Sequence, residues 1–432
     1  MSSENYGQVI RDPLWNTIRL DEHAVRIVNT PAFQRQRYIK QLGFAHLVYP
    51  GATHTRFGHA LGVYHLAKVA LGHLKGSGQL KGEALEEAWL IPYAGLLHDI
   101  GHYAFSHALE ELEDNFLLGD HETVSARFFD SAQMKPVLEL LGETAGEDIK
   151  ALIRSESANP LRGLVSGSLD LDKIEYLKRD ARFCGVPYGE VDVDRLIQGM
   201  LLLEDPVSGG LEVGIHEKAV AALESLLFAK YQMFRNVYWH HGVRSASALY
   251  KRIVYEAVGA GMLTKEELVG PTDEELIYEI YRRAKSQDSE VGHRLTSRWI
   301  PALKERKLPK RIMEITAAEL EGRVIKDWVL EDSHRRRVFE DRLADELGLE
   351  SGEVVIDFPV KESMFQLDLL IKRTRGGVER LDLGGVSGLI DLPRMAESLY
   401  TATRVLRIFA FEKGNLEMES VLEELTTEEV SL

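Results

Sequence analysis

Apolar residues recur at three- and four-residue spacing through most of the chain between residue 31 and about residue 320. Clear examples are the segments EEAWLIPYAGLLHDI, HETVSARFFDSA, VAALESLLFAKYQMFRNVYWHH and DEELIYEIYRRAK. Such spacing places the apolar side chains on one face of an α-helix. Glycine and proline interrupt the pattern, as at Pro50-Gly51 and Gly270-Pro271, so the sequence predicts a series of helices joined by turns.

The pattern changes near residue 320. The runs VVIDFPV, QLDLLIKR, VERLDL and VLRIFAF are short and rich in β-branched residues, which is typical of strands. The segment LPRMAESLYTATRV, which lies between them, is predicted to be a helix, and residues 1 to about 30 are expected to form an extended lead-in and a short helix. We therefore predict a mainly α protein, with an all-helical core over residues 1–320 and a smaller α+β lobe over residues 321–432 that ends in an acidic tail.

The composition narrows the class of protein. The chain has 432 residues, a formal net charge of −16 and a single cysteine, Cys184, so a disulfide within the chain and a cysteine-based zinc site are excluded. No run approaches the length of a membrane span, and the first residues lack a basic segment followed by an apolar run. We expect no membrane association and a cytoplasmic location. The acidic charge argues against non-specific nucleic-acid binding, which needs a basic surface.

The segment LLHDIGHYAFSH, residues 96–107, carries histidines and an aspartate among small and apolar residues. Polar groups of this kind are costly to bury unless they are paired. His98 and Asp99 on their own are also compatible with a helix cap or a hydrogen-bonded core pair. Histidine and aspartate supply the nitrogen and oxygen ligands that first-row divalent metals accept, and His59 and Asp172 are the candidates for the remaining ligands.

The segment SGSLDLDKIEYLKRDARF contains a second cluster of polar residues. Asp172, Tyr176 and Asp180 follow one another at four-residue spacing, so they share one face of a predicted helix, and Lys173 follows Asp172 directly. A face of this composition is unusual for a plain core helix. We therefore expect it to border a ligand site.

The order His … His-Asp … Asp resembles that of the HD-domain metal-dependent phosphohydrolases. Neighbouring motifs, among them TPAFQRQRYIKQLGFAHLVYPGATHTRFGHALGV, DHETVS and LDLDKIEYLKRDARFCGV, are similar to the deoxynucleoside triphosphate triphosphohydrolase (dNTPase) branch of that family. The resemblance covers roughly residues 8 to 415 and includes the C-terminal pattern DFPVKESMFQLDLLIKR … VLRIFAF. It implies an HD-domain fold and the hydrolysis of deoxynucleoside triphosphates to deoxynucleoside and inorganic triphosphate.

The resemblance also implies roles for individual residues. The implied metal ligands are His59, His98, Asp99 and Asp172. The implied catalytic residues are His102, His107, His121 and Glu122, with His121 and Glu122 expected to act as an acid/base relay. The implied substrate-binding residues are Arg56, Lys173, Tyr176 and Asp180 for the phosphates and the sugar, Gln41 and Leu42 for the deoxyribose, and Tyr238 and His240 for the sugar or the base.

A divalent metal ion is the implied cofactor, and two histidines with two carboxylates suit Mn, Fe, Ni, Co, Zn or Mg. A bound metal polarises a phosphoryl oxygen and lowers the pKa of its water. Arginine and lysine neutralise charge on phosphates, and a histidine delivers a proton to the leaving oxygen or positions the water. The residue types present are therefore consistent with the implied reaction.

The resemblance implies a homo-oligomer, with a tetramer favoured, and an allosteric nucleotide bound between subunits. Gln34 and Arg37 match positions of that nucleotide site. Asn29 stands where the animal members of the branch have an acidic residue that reads guanine, and Gln8 and Arg11 also replace the residue types found there. We therefore do not expect activation by guanine nucleotides.

Two other functions are compatible with the same motifs. The first is a different HD phosphohydrolase reaction, on nucleoside monophosphates or other phosphoesters, which would not release triphosphate. The second is a non-catalytic nucleotide sensor or nucleic-acid binder. The presence of every expected metal ligand in the sequence argues against the second.

Overall fold

Helices make up most of the chain between residues 22 and 304, as the apolar spacing predicts. The computed structural model describes residues 7–112, 116–320, 322–359, 367–381 and 391–428. The α-helices in this described part are α1 (Glu22–Val28), α2 (Pro31–Arg35), α3 (Arg56–Gly76), α4 (Glu83–Glu87), α5 (Ile91–Leu97), α6 (Ser106–Leu109), α7 (His121–Phe129), α8 (Lys135–Glu139), α9 (Ala145–Ile153), α10 (Leu171–Cys184), α11 (Val193–Gly199), α12 (Val220–Met233), α13 (His241–Gly259), α14 (Asp273–Ser286), α15 (Glu290–Arg294), α16 (Ile300–Lys304), α17 (Trp328–Glu331), α18 (Ser333–Glu346), α19 (Leu392–Thr403) and α20 (Met418–Leu425). None of these helices has the length and apolar composition that crossing a bilayer requires.

Helix α3 lies at the centre of the helical core. It packs against α5 and α10, and most of its side chains are buried, including Leu61, Val63 and Leu66. A helix that is buried around most of its circumference contributes to the core on several sides. His59 lies in this buried part, where an unpaired polar ring would be costly.

Helix α10 carries the second polar cluster, and local sequence sets both of its ends. The Asp170 carboxylate accepts a hydrogen bond from the backbone N–H of Lys173 and so caps the first turn. Gly185 follows the last turn with a φ of 69°, a left-handed conformation that glycine adopts without strain. Ile174 and Leu177 are fully buried, which anchors one face of the helix in the core.

The strands form small sheets. They are β1 (Gln8–Asp12), β2 (Asn16–Leu20), β3 (Met200–Glu204), β4 (Leu211–His216), β5 (Lys310–Ile315), β6 (Arg323–Ile325), β7 (Val354–Asp357), β8 (Leu369–Lys372), β9 (Val378–Leu381), β10 (Leu406–Ala410) and β11 (Thr426–Glu428). In the described part of the chain, β1 and β2 pair as a hairpin, and β6 pairs with β11. Strands β3, β4, β8 and β9 form a four-stranded sheet in that order, and β5, β10 and β7 form a three-stranded sheet.

The mainly α fold class with a smaller sheet-containing C-terminal part is confirmed. Strands β7 to β10 and helix α19 lie where the sequence predicts them. The ends of the predicted strand segments at Val360, Gln366 and Asp382–Leu383, and residues 429–432 of the acidic tail, lie outside the described residues.

Strand pairing crosses the predicted domain boundary at residue 320. Strands β3 and β4 lie inside the predicted helical core, and β4 pairs in parallel with β8 through Ile215 and Ile371. Strand β5 ends at Ile315 and pairs with β10, where Ile315 faces Leu406. The division into residues 1–320 and 321–432 therefore stays a prediction.

Candidate metal centre and active site

Side chains from distant parts of the chain bring their ligand atoms to one point. Nε2 of His59 on α3 lies 2.9 Å from Oδ1 of Asp172 on α10 and 3.2 Å from Nε2 of His98, which follows α5. Nε2 of His98 is 3.5 Å from the same Asp172 oxygen. Oδ1 of Asp99 is 3.3 Å from Nε2 of His98, and its Oδ2 is 3.6 Å from Nε2 of His59. The structure thus brings together the four residues expected as metal ligands.

Hydrogen bonds on the far side of each imidazole show which ring atoms face this point. Nδ1 of His59 lies 2.7 Å from Oε2 of Glu175, and Nδ1 of His98 lies 2.8 Å from the carbonyl oxygen of Gly95. Because both Nδ1 atoms have acceptors as partners, each donates, and the two Nε2 atoms are left as acceptors. Acceptor nitrogens that face each other and a carboxylate are stabilised only when a proton or a metal cation lies between them. The donor set therefore fits a divalent metal ion held by His59, His98 and Asp172.

Helix α5 ends at Leu97, so His98 and Asp99 lie in the turn that follows it. The prediction that the helix continues through residues 98–100 is therefore wrong. The turn lets Asp99 meet two further groups. Its Oδ2 accepts a 2.6 Å hydrogen bond from Nη1 of Arg56, and its Oδ1 lies 2.8 Å from Nε2 of His102. Burial alone would raise the pKa of Asp99, but the charges of Arg56 and the neighbouring histidines hold that pKa well below its usual range.

Glu175 supports His59 from behind and was not among the residues predicted from the sequence. Its Oε1 accepts hydrogen bonds from Nε1 of Trp15 at 2.9 Å and from Nε of Arg179 at 2.8 Å. Burial would raise the pKa of Glu175, but Arg179 and His59 lower it, so the carboxylate is ionised. Its position three residues after Asp172 on one helix is the signal in the sequence that could have identified it.

Two glycines permit the close approaches that build the site. A Cβ at Gly62 would lie 1.9 Å from Oε1 of Glu175, so α3 and α10 can pack this closely only with glycine there. A Cβ at Gly101 would lie 2.0 Å from the carbonyl oxygen of His121. That glycine lets the first turn of α7 lie directly against the turn that carries Asp99.

Three further histidines gather around one carboxylate, Glu110. Its Oε1 lies 3.0 Å from Nδ1 of His102 and 3.0 Å from Nδ1 of His121, whose rings stack with centroids 4.0 Å apart. Nδ1 of His107 is 3.7 Å from Oε2 of Glu110. The carboxylate that contacts His121 is Glu110, and Glu122 lines a neighbouring cavity, so the relay of His121 with Glu122 stays a prediction.

The two stacked rings differ in charge. Burial and the charge of Arg56 lower the pKa of His102 to about 4. Burial would also lower the pKa of His121, but the hydrogen bond and the charge of Glu110 outweigh it and raise that pKa to about 9. At neutral pH His102 is therefore neutral, and His121 carries a proton.

A cavity of about 550 Å³ opens onto these residues and has the size of a small-molecule site. The expected substrate and catalytic residues that line it are Gln41, Leu42, Arg56, Lys173, Tyr176, Asp180, Tyr238, His102, His107 and His121. The shared face of Asp172, Tyr176 and Asp180 on α10 borders this cavity, as their spacing predicts. His240, which was expected to contact the sugar or the base, is not among the lining residues. It caps α13, where its Nδ1 accepts a 3.1 Å hydrogen bond from the N–H of Gly242.

Two lysines line the cavity beside the metal-ligand group. Nζ of Lys173 donates to the Asp170 carboxylate and to the carbonyl oxygen of Gly167, the latter at 2.9 Å. Lys230 on α12 is 2% exposed, and it lines both this cavity and a second one of about 830 Å³. Lys230 could not be identified from the sequence, because a single lysine in a largely apolar helix usually marks a solvated position.

A buried network of charges connects the cavity to the C-terminal sheet. Arg244 on α13 donates two hydrogen bonds to Glu111, at 2.7 and 2.8 Å, and two to Asp357 on β7, at 2.8 and 2.6 Å. Nζ of Lys251 adds a bond of 2.7 Å to Glu111. Burial would raise the pKa of Glu111, but Arg244 and Lys251 lower it to about 2. The network fixes the segment that carries the neighbouring Glu110.

Two protein-family models match the chain. The model described as the HD domain matches residues 56–178, and the model described as the HD associated region matches residues 191–402. The chain belongs to the HD-domain phosphohydrolase family. The HD-domain match includes His59, His98, Asp99 and Asp172, so the metal-ligand group lies wholly inside it.

Curated relatives of this HD-domain chain match part of its length. An uncharacterized protein of Methanocaldococcus jannaschii, MJ1154, is 35% identical over 272 residues, which cover 62% of this chain and 54% of that protein. The deoxynucleoside triphosphate triphosphohydrolase SAMHD1 of Homo sapiens is 34% identical over 266 residues, which cover 54% of this chain and 42% of that protein. The chain thus spans about half the length of the curated relatives it matches.

The fold also matches a solved structure. The crystal structure of a phosphohydrolase of Bacteroides thetaiotaomicron, BT4208, has a TM-score of 0.71 to this chain at 20% sequence identity. The match covers 94% of this chain and 100% of that one. At this identity the likeness concerns the fold alone, and it extends over both HD-family segments.

Proposed function

We propose that this HD-domain phosphohydrolase cleaves deoxynucleoside triphosphates to deoxynucleosides and inorganic triphosphate. The observation that carries the proposal is one cavity that joins the metal-ligand group to Gln41, Tyr176 and Asp180. Its cations and metal ligands suit phosphates, and its aromatic rings and hydrogen-bond acceptors suit a nucleoside. The relatives named deoxynucleoside triphosphate triphosphohydrolase support the same substrate class.

The phosphate end of the cavity combines cations with acidic groups. Arg56 is 2% exposed and presents a guanidinium that also holds Asp99. Lys173 and Lys230 line the same space. We place the triphosphate against these three cations, because guanidinium and ammonium groups neutralise phosphate charge. Asp99 and Asp172 would repel a triphosphate by themselves, so a metal ion is needed to balance them.

The proposed reaction adds a water oxygen to the α-phosphorus and breaks its bond to the 5′ oxygen of the deoxynucleoside. A divalent ion held by the four ligands would polarise a phosphoryl oxygen and acidify a water. The leaving 5′ oxygen needs a proton, and His121, which carries one at neutral pH, is the cavity histidine suited to deliver it. His102 and His107 line the same space and are placed to contact the phosphates. Glu110 holds the rings of His102 and His121 in place for this step. Mn, Fe, Ni, Co, Zn and Mg all remain candidates for the ion.

The sugar end of the cavity contains an unsatisfied acceptor. Oε1 of Gln41 is buried and has no hydrogen-bond partner in the described part of the chain. A buried polar atom of this kind is costly unless a ligand satisfies it. We propose that Gln41 and the adjacent Leu42 contact the deoxyribose, where a lack of room for a 2′-hydroxyl favours deoxy substrates.

Assembly and regulation are part of the proposal. We propose a homo-oligomer, with a tetramer favoured, and an allosteric nucleotide near Gln34 and Arg37. Arg37 is exposed, its Nε donates a 2.7 Å hydrogen bond to Oε1 of Gln34, and its guanidinium lies 3.5 Å from the centroid of the Phe57 ring. Light scattering measures the mass of the assembly, and an activity assay measures the rate of substrate hydrolysis. Both are run on wild type and Arg37→Ala, with and without added deoxynucleotides. If the mass and the hydrolysis rate are the same in all four samples, the proposed allosteric nucleotide is contradicted.

The test of the reaction is a panel of nucleotides crossed with the six metals and scored by chromatography of the products. The proposal predicts equal amounts of deoxynucleoside and inorganic triphosphate. Orthophosphate alone would support a different phosphohydrolase reaction. Tight nucleotide binding without hydrolysis under any metal would support a sensor. Asp99→Ala serves as the inactive control, and Glu147→Gln, an exposed change on α9, serves as the active one.

A further inference from the structure

One residue behind the cavity wall holds two of the polar groups that face the substrate. His54 does not line the cavity, and its side chain is 2% exposed. Its ring and its backbone each contact a different lining residue. The ring contacts Asp180, and the carbonyl oxygen accepts a 3.0 Å hydrogen bond from the N–H of Gln41. His54 therefore couples two lining residues that are far apart in the chain.

The contact with Asp180 fixes the plane of its carboxylate. Nε2 of His54 lies 2.7 Å from Oδ1, and the hydroxyl of Tyr238 donates a 2.7 Å hydrogen bond to Oδ2. The His54 ring also stacks on Phe183, with centroids 4.7 Å apart. Since each oxygen of the Asp180 carboxylate has one hydrogen-bond partner among the described residues, each retains a second lone pair for a ligand. Nδ1 of His54 is buried without a partner in the described part of the chain, so the ring's strong contact is the one to Asp180.

The backbone contact belongs to a short antiparallel ladder. The N–H of Arg56 donates a 3.0 Å hydrogen bond to the carbonyl oxygen of Ile39, and Lys40 faces Thr55. Together with the bond between Gln41 and His54, this ladder joins residues 39–41 to residues 54–56. The segment that carries the phosphate-facing Arg56 is thus rigidly tied to the segment that carries Gln41.

We infer that His54 is a positioning residue for the sugar of the substrate, an inference that rests on the proposed function. It aims the Asp180 carboxylate so that this group accepts a hydrogen bond from the 3′-hydroxyl. A carboxylate accepts and does not donate, and it repels phosphates, so a hydroxyl is its natural partner in a deoxynucleotide. The 3′-hydroxyl is present in all four deoxynucleotides, whereas the donors on the bases differ. The Asp180 carboxylate, held in this position, therefore binds the hydroxyl group that all four deoxynucleotides share.

The test compares a 2′-deoxynucleoside triphosphate with its 2′,3′-dideoxy analogue. Wild type is expected to favour the 3′-hydroxyl substrate in kcat/KM by about 10- to 100-fold, the range of a hydrogen bond to a charged group. His54→Phe keeps an aromatic ring against Phe183 but loses the bond to Asp180. We expect this variant to lose about tenfold or more on the 3′-hydroxyl substrate and to change little on the analogue. His54→Gln retains a donor and is expected to recover most of the preference.

The outcomes separate the two claims. Equal losses on both substrates, or an unchanged preference in His54→Phe, would overturn the positioning role while leaving the proposed reaction intact. Wild type that hydrolyses neither substrate with any of the metals would overturn the proposed function and the inference with it. Should His54→Phe not fold, as judged by its thermal melt, His54→Leu is measured against the same ratio. Its smaller side chain fits the space of the imidazole.

Discussion

Oε2 of Glu175 accepts a 2.7 Å hydrogen bond from Nδ1 of His59, and both side chains are fully buried. This bond decides which nitrogen of His59 faces Asp172 and His98. Because a carboxylate can only accept, Nδ1 must carry the proton, and Nε2 is free to bind a metal. The metal centre thus depends on a residue that is not itself a ligand.

Replacing Glu175 is therefore expected to weaken metal binding. Glu175→Gln removes the charge that orients His59, and partners of this kind change metal affinity by about 10- to 100-fold. Dialysis against buffered metal, followed by elemental analysis, measures the change. Glu147→Gln is the matched control, because its side chain is 77% exposed on α9. Equal metal retention by both variants would show that Glu175 does not orient His59.

Alanine substitutions at Gly62 and Gly72, both on helix α3, test how closely α3 packs against α10. A Cβ at Gly62 would lie 1.9 Å from Oε1 of Glu175, whereas a Cβ at Gly72 would have no atom within 4 Å. Gly62→Ala is expected to displace Glu175, with a loss of about 1–3 kcal/mol of folding free energy and weaker metal binding. Gly72→Ala is expected to be neutral or stabilising by up to about 1 kcal/mol, because alanine favours the helix. Urea unfolding measures both, and similar effects at the two positions would contradict the packing described for α3 and α10.

Glu110 and Glu122 are the two candidates for the carboxylate that acts with His121. The structure places Glu110 at 3.0 Å from both His121 and His102. Glu110→Gln is expected to lower kcat by about 100-fold or more, the usual size of an acid/base contribution. Glu122→Gln is expected to cost less than about tenfold. Steady-state kinetics on the two purified variants decides between them, and a larger loss in Glu122→Gln would restore the pairing expected from the sequence.

Glu111 gives the protein a pH-dependent stability. Its pKa is about 2 in the folded protein, against about 4.3 for an unfolded glutamate. Because the folded value is the lower one, the contribution is fully present above about pH 4.3 and is lost as the pH falls towards 2. At pH 7, Glu111→Gln is expected to cost about 3 kcal/mol, since it leaves Arg244 and Lys251 short of a partner.

The difference in unfolding free energy between wild type and Glu111→Gln should therefore narrow on acidification. We expect a decrease of about 1.4 kcal/mol per pH unit below about pH 4. Urea unfolding at pH 7, 4 and 3.5 measures it. A difference that stays constant over this range would mean that the network with Arg244 does not lower the pKa of Glu111.

Much of the candidate site could be predicted from the sequence. The His59, His98, Asp99 and Asp172 group has ligand chemistry that is rarely found together by chance, and the structure places its atoms within reach of one another. The i, i+4, i+8 face of α10 needs only helical geometry, so the shared wall of Tyr176 and Asp180 also follows from spacing.

The partners of these residues could not be predicted, because they depend on how distant segments pack. Glu110 and His121 lie 11 residues apart in the chain, and their local spacing does not show that they meet. Lys230 lies in an apolar helix whose spacing does not show that one position faces a cavity. His54 lies within one of the family-like motifs, but local spacing does not show that Asp180 comes within 2.7 Å of its ring.

The missed strands have a similar cause. The run MLLLE of β3 is apolar and follows directly after α11, and short apolar runs do not distinguish a helix from a buried strand. Its partner β4 becomes part of a larger sheet only by pairing with β8, about 150 residues later in the chain. Pairing over such a separation is not visible in local spacing.

The most direct test of the central claim is the metal content of wild type and Asp99→Ala, measured by elemental analysis on protein purified under identical conditions. The account predicts about one divalent ion per chain in wild type. In Asp99→Ala it predicts little or no bound metal and an almost unchanged helix content by circular dichroism. A folded Asp99→Ala variant that retains a full equivalent of metal and normal turnover would contradict the account.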